Sequence, residues 1–123
     1  MTAPRPVRDR AAAERAGRRA ETIAAWWLRF HGWSILAMRA RVRVGEIDIV
    51  ARRSRMIAFV EVKARSTDFA ADLALDPYRL RRVFAAAETL FHRYRRPGDD
   101  MRVDAIFIVP GKWPRHLVNL WRD

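Results

Sequence analysis

The chain contains no cysteine, only five glycines and no long apolar run. Without cysteine there is no disulfide framework, no thiolate metal site and no cysteine nucleophile, so zinc-finger and redox functions are excluded. Any metal ion would be held by oxygen or histidine ligands. The longest apolar candidate, residues 101–110, is interrupted by Arg102 and Asp104 and falls short of the roughly 18 residues of a transmembrane helix. The sequence therefore predicts no membrane span.

Lysine is also scarce, because 23 of the 25 basic residues are arginine and only Lys63 and Lys112 are lysine. Acidic residues number 14, which leaves a formal net charge of +11 and a pI of about 11.6. Such a balance favours polyanionic partners, of which nucleic acid and an anionic membrane surface are the two main classes.

The length of 123 residues fits one domain, residues 1–123, with a single hydrophobic core. The N-terminus lacks the apolar segment of a secretory signal, and Asp9 and Glu14 argue against a transit peptide. We therefore expect an unstructured start over residues 1–8 and a cytoplasmic protein.

Apolar periodicity and turn residues predict an α/β fold. The element order is α-β-β-β-α-β with a further short strand, giving a mixed central sheet flanked by helices. A loop is expected over residues 65–76, with Asp76 as the N-cap of the second helix. The predicted helices are residues 9–31 and 77–95, and the predicted strands are residues 33–41, 46–52, 56–64, 101–109 and 116–121.

Two opposite charges stand in the apolar, strand-forming run Phe59-Val60-Glu61-Val62-Lys63. Residues two apart in a strand point to the same face, so Glu61 and Lys63 share one side while Val60 and Val62 occupy the other. Charges on the inward face of a strand are costly to bury unless they are used. The pair is therefore a candidate catalytic site.

The polar face of a second strand, Glu46-Ile47-Asp48-Ile49, is predicted to meet this pair. Its two acids share one face and its two isoleucines the other. The turn between the two strands can consist of Arg53-Ser54 or of Ser54-Arg55. Either two-residue turn places Asp48 on the same face as Glu61 and Lys63. The acids would then converge within a span that one cation could bridge.

The first helix is predicted to add a third carboxylate, because Glu21 lies on the apolar stripe that leads to Leu28. Like charges gathered in an apolar core raise each other's pKa unless a cation neutralises them. Oxygen ligands suit Mg²⁺ or Mn²⁺, which with a lysine support attack of water on a phosphodiester. The alternative is a set of structural ion pairs, for example Glu61 with Arg65 or Glu46 with Lys63.

At these residues the chain resembles a known family. It looks like the YraN-like family of small bacterial proteins, which is placed in the PD-(D/E)xK restriction-endonuclease-like superfamily near the archaeal Holliday-junction resolvases. The resemblance covers roughly residue 17 to the C-terminus. The motifs that carry it are Gly45-Glu46-Ile47-Asp48, residues 59–65, Ala20-Glu21 ahead of Trp27-Leu28 and Gly32, and Arg102-Val103-Asp104.

The resemblance implies a restriction-endonuclease-like fold and a role for each matching residue. Asp48 and Glu61 would be metal ligands, with the backbone carbonyl of Val62 as a third. Lys63 would orient the attacking water or stabilise the transition state. Glu21 would be an additional acidic member of the catalytic site, contributed by the first helix.

The implied function is hydrolysis of phosphodiester bonds in DNA, including branched or structured DNA, with Mg²⁺ or Mn²⁺ as cofactor. DNA is favoured over RNA, and a homodimer would supply two sites for two strands. Arg65, Arg79 and Arg82 are predicted to contact phosphates. Val44 and Leu80 depart from the family's usual glycine and glutamine, which leaves open a non-catalytic nucleic-acid-binding module with the same fold. A basic scaffold protein whose acids only balance arginines is the third interpretation.

Overall fold

The computed structural model of the protein describes residues 7–65 and 77–120. The predicted element order is confirmed, and the bounds of all but the last strand differ from the predicted ones by at most two residues. Of the expected unstructured start, residues 1–6 lie outside the described residues, as do residues 66–76 of the expected loop and its N-cap Asp76. The expectation is wrong for Val7 and Arg8, which belong to the first turn of the first helix. The elements are α1 Val7–Phe30, β1 Ser34–Val42, β2 Gly45–Arg53, β3 Met56–Ala64, α2 Pro77–Tyr94, β4 Asp100–Ile108 and β5 Arg115–Leu117.

The five strands form one mixed sheet in the order β1-β2-β3-β4-β5. β1, β2 and β3 are joined in antiparallel pairs, β3 and β4 are parallel, and β5 is antiparallel to β4. A parallel pair requires a long crossover connection, and α2 lies within the connection between β3 and β4. The predicted mixed sheet flanked by helices is therefore confirmed.

Each face of the sheet is covered by one helix. The α1 side is a core cluster in which helix residues Ala24, Ala25 and Leu28 pack against sheet residues that include Val60 and Ile106. The α2 side is a second cluster formed by Val83, Ala86, Ala87 and Leu90 with Ile47, Val50, Ile57, Phe59 and Val103. β3 thus sends its even-numbered residues towards α1 and its odd-numbered residues towards α2. Within the described ranges, neither helix is both long and apolar enough to span a membrane.

One prediction about β2 is wrong, because its two isoleucines do not share a face. Ile49 belongs to the core cluster on the α1 side, whereas Ile47 belongs to the cluster on the α2 side. The pairs Met38 with Ile49 and Ala40 with Ile47 enclose Arg39, whose φ of 52° lies in the left-handed region. Such a backbone is uncommon for a residue other than glycine and interrupts the regular alternation of a strand. The faces of β1 and β2 therefore switch at this point.

Candidate active site

The site is built where β2 and β3 separate. Their two-residue turn is Ser54-Arg55, and the paired ladder runs from that turn to Ile49 opposite Val60. Beyond the ladder, the carboxylate of Asp48 takes the place of a backbone acceptor, since its Oδ2 accepts a 2.8 Å hydrogen bond from the N–H of Val62. The turn therefore brings Asp48 beside the charged pair of β3, as the strand pattern predicts.

Glu61 and Lys63 are buried on the face of the sheet covered by α2. They are 5% and 6% exposed, and the Nζ of Lys63 lies 3.3 Å from the Oε2 of Glu61. The same oxygen lies 3.5 Å from the Nη2 of Arg79, whose side chain is 63% exposed. One carboxylate oxygen is thus shared by a buried and a solvent-facing cation. The inward orientation predicted for this pair is confirmed, and Lys63 pairs with Glu61 instead of Glu46.

The surroundings of Asp48 disfavour its charged form. Burial, together with the negative charges of Glu61 and Glu21, raises its pKa from the ordinary value of 3.8 to about 7. The hydrogen bond from Val62 and the charge of Lys63 act in the opposite direction and do not offset the rise. A cation beside Asp48 would relieve both the desolvation and the repulsion, because it favours the charged form.

Glu21 reaches this site from α1, on the opposite face of the sheet. Its side chain is 16% exposed and its Oε1 accepts a 2.7 Å hydrogen bond from the Nε of Arg39, the residue with the left-handed backbone. The charge of Glu21 acts on Asp48, but its carboxylate is engaged by a guanidinium. Across residues 7–65 and 77–120, no group of three or more acidic, histidine or cysteine side chains is close enough to hold a metal ion.

Two carboxylates nevertheless fit a hard divalent cation. Mg²⁺ commonly keeps several waters and takes only one or two protein carboxylates together with substrate phosphate. Asp48 and Glu61 supply that number of donors, and the repulsion between them is the penalty that a divalent cation would remove. The donor set therefore suits Mg²⁺ or Mn²⁺, with the Val62 carbonyl as the remaining predicted ligand.

A cavity of about 420 Å³ opens beside the pair, and Glu61 forms part of its wall. Arg79 and Arg82, two of the three arginines predicted to contact phosphates, line the same cavity. The third, Arg65, lies apart, in an apolar depression between α1 and the ends of β3 and β4. Sequence reasoning missed the cavity residue Tyr78, whereas it places Glu46 on the polar face of the second strand. The full lining is Gly45, Glu46, Glu61, Tyr78, Arg79, Arg82 and Val83.

Two further acids have structural partners. The Oε2 of Glu46 accepts a 3.0 Å hydrogen bond from the Nε of Arg41 across the β1–β2 pair. Asp104 is fully buried, lies 2.8 Å from the Nε2 of His116, and accepts a 2.9 Å hydrogen bond from the backbone N–H of Asn119. Asp104 therefore links β4 to the segment that contains His116 and Asn119. Sequence reasoning gave His116 no role, because nothing near it in the chain indicates this partner.

Known proteins are similar in sequence to this chain over most of its length. The family described as "Uncharacterised protein family UPF0102" matches residues 20–108. A UPF0102 protein of Sphingopyxis alaskensis is 60% identical over 113 residues, which cover 92% of this chain and 97% of that protein. A UPF0102 protein of Erythrobacter litoralis is 54% identical over 110 residues, which cover 89% of this chain and 95% of that protein.

Among solved structures, the chain is similar to Hjc of Archaeoglobus fulgidus, a Holliday junction resolvase from an archaeal hyperthermophile. The TM-score is 0.58 and the sequence identity 19%, over 81% of this chain and 73% of that chain. At this identity the likeness establishes the fold. The expected restriction-endonuclease-like architecture is therefore confirmed.

Proposed function

Since the chain belongs to the UPF0102 family, as its resemblance to the YraN-like family predicts, we propose that it is a divalent-metal-dependent nuclease acting on DNA. The observation that carries the proposal is the meeting of Asp48, Glu61 and Lys63 where β2 and β3 separate, with Glu61 facing an arginine-lined cavity. The names of the relatives state no activity. The named activity of the structurally similar resolvase supports DNA as the substrate.

Each residue has a distinct role in this proposal. Asp48 and Glu61, with the Val62 carbonyl, would hold Mg²⁺ or Mn²⁺, which supplies an activated water and stabilises charge on the phosphate. Lys63 is buried 3.3 Å from Glu61, and its ammonium would stabilise the negative charge that develops on the phosphate. Glu21 influences Asp48 through its charge and is not required as a ligand.

Arginines around the cavity would hold the substrate. Arg79 and Arg82 line the cavity wall that contains Glu61, so a phosphate bound there would lie beside the reacting groups. Contacts of this kind position the backbone without reading sequence. The net charge of +11 adds long-range attraction for a polyanion. A homodimer would present two such sites to two strands, and light scattering in solution tests that state.

The experiment that tests the proposal is a cleavage assay on linear, nicked, flapped and four-way DNA with Mg²⁺ or Mn²⁺. Asp48→Asn and Lys63→Ala are expected to abolish cleavage while DNA binding persists, because neither residue lies in the wall of the cavity. Asp100→Asn makes the same chemical change on an exposed residue and should leave cleavage unaltered. Cleavage that survives in Asp48→Asn would overturn the assignment.

A second candidate, a non-catalytic DNA-binding module, is favoured by one observation. The Oε2 of Glu61 already has two cationic neighbours, Lys63 and Arg79, which reduces its need for a metal ion. This candidate predicts salt-sensitive DNA binding without cleavage of any substrate in the panel. A third possibility, a basic scaffold protein, requires negligible affinity for DNA at moderate salt.

A further inference from the structure

An exposed aromatic ring stands at the edge of the proposed site. Tyr78 lies in the first turn of α2, is 64% exposed and belongs to neither core cluster. It lines the cavity that contains Glu61 and also a neighbouring cavity of about 390 Å³, and Arg82 is shared by both. The ring therefore lies where a nucleic-acid strand that runs from one cavity to the other would pass.

The surroundings of this ring are strongly basic. The second cavity is lined by Arg43, Arg81 and Arg82, and the first by Arg79 and Arg82. The guanidinium carbon of Arg81 lies 5.9 Å from the centre of the Tyr78 ring. Tyr78 is thus an exposed aromatic surface with arginines from α2 and from the β1–β2 turn around it.

Arginines alone would suffice for duplex DNA, which presents phosphates outward and keeps its bases stacked inside. An aromatic side chain adds affinity only when a base is unpaired and offers its flat face, and proteins that bind single strands combine such rings with basic grooves. We propose that Tyr78 stacks on an unpaired base next to the phosphate bound beside Glu61. The preferred substrate then has unpaired nucleotides at the cleavage point, as in single strands and flaps. This inference rests on the proposed function and defines its substrate class.

Binding measured without metal tests the inference separately from catalysis. Fluorescence anisotropy in EDTA compares a labelled single strand, its blunt duplex and a single strand of abasic sites. Tyr78→Ala should weaken single-strand binding by about 5- to 150-fold, the range found for loss of one base-stacking side chain. Duplex binding should change by less than about twofold. Tyr78→Phe, which keeps the ring, should bind the single strand as the unaltered chain does.

Two controls isolate stacking from other effects. Phe30→Ala removes an 83% exposed aromatic ring on α1 that lines neither cavity, and should leave single-strand binding unchanged. On the abasic strand, Tyr78→Ala should bind as the unaltered chain does, because no base is left to stack. Circular dichroism checks that each variant is folded.

The inference is overturned if Tyr78→Ala leaves single-strand binding intact, if it weakens duplex and abasic binding equally, or if Phe30→Ala produces the same loss. Its failure is distinguishable from that of the nuclease proposal. Metal-dependent cleavage without dependence of binding on Tyr78 removes this inference alone. Binding that depends on Tyr78 but is never followed by cleavage removes the nuclease assignment and retains the stacking site.

Discussion

Replacement of Lys63 by methionine provides a sharp test of the charged site. The change keeps the length of the side chain but removes the cation 3.3 Å from Glu61, whose carboxylate then stays buried beside Arg79. Loss of one member of a buried pair costs about 3–5 kcal/mol. Arg79 is 63% exposed and compensates only in part, so we expect a loss near the lower end, about 3 kcal/mol.

Thermal and urea unfolding measure this loss. For a chain of this length, each kcal/mol corresponds to about 3–5 °C in Tm, so Lys63→Met should lower the Tm by about 9–15 °C. The chain offers a matched control, because its other lysine, Lys112, is exposed. Lys112→Met should change the free energy of unfolding by less than about 0.5 kcal/mol.

A double variant separates charge from packing. Glu61→Gln combined with Lys63→Met removes both charges, so no buried ion is left without a partner, and at least half of the lost stability should return. If Lys63→Met destabilises no more than Lys112→Met, the buried pair does not exist as described and the reasoning fails. If the double variant is instead less stable than Lys63→Met, the stability lost in Lys63→Met comes from packing and not from an unpaired charge.

Other predictions concern carboxylates other than Asp48 and Glu61. Hydrogen bonding from Arg52 lowers the pKa of Asp99 from 3.8 to about 2, so this carboxylate stabilises the fold above about pH 4 and loses that contribution as the pH falls towards 2. Asp99→Asn should therefore flatten the acid limb of a stability–pH curve. Asp104→Ala removes a buried acceptor shared by Arg102, His116 and Asn119 and should cost about 3–5 kcal/mol in urea unfolding. Glu21→Gln, which weakens a partly exposed ion pair with Arg39, should cost less than about 1 kcal/mol.

Local rules predict most of the architecture because they act over few residues. Gly32, with a φ of 86°, closes α1 where the helical pattern stops. The period of two residues in β3 places Glu61 and Lys63 on one face, and the short turn at Ser54-Arg55 aligns Asp48 with them. Each of these features depends on geometry that a few neighbouring side chains determine.

The features that sequence reasoning missed depend on contacts between distant segments or on unusual backbone geometry. The left-handed backbone of Arg39 switches the faces of β1 and β2, so the alternation that held for β3 fails for Ile47. Glu21 forms an ion pair with this same arginine, a contact between distant segments that the helical spacing of Glu21 does not indicate. The sequence does show that Tyr78 is an aromatic residue in the first turn of a basic helix. That it lines two cavities is known only from the structure.

The central claim is that Asp48 and Glu61 form a divalent-cation site and not merely a structural ion pair. The most direct measurement is calorimetric titration of Mn²⁺ into the unaltered chain, Asp48→Asn and the exposed-site control Asp100→Asn. We predict saturable binding to the unaltered chain and to the control, with affinity at least about tenfold lower in Asp48→Asn, a loss of about 1.4 kcal/mol or more. Equal binding by all three chains, or no binding by the unaltered chain, would contradict the account.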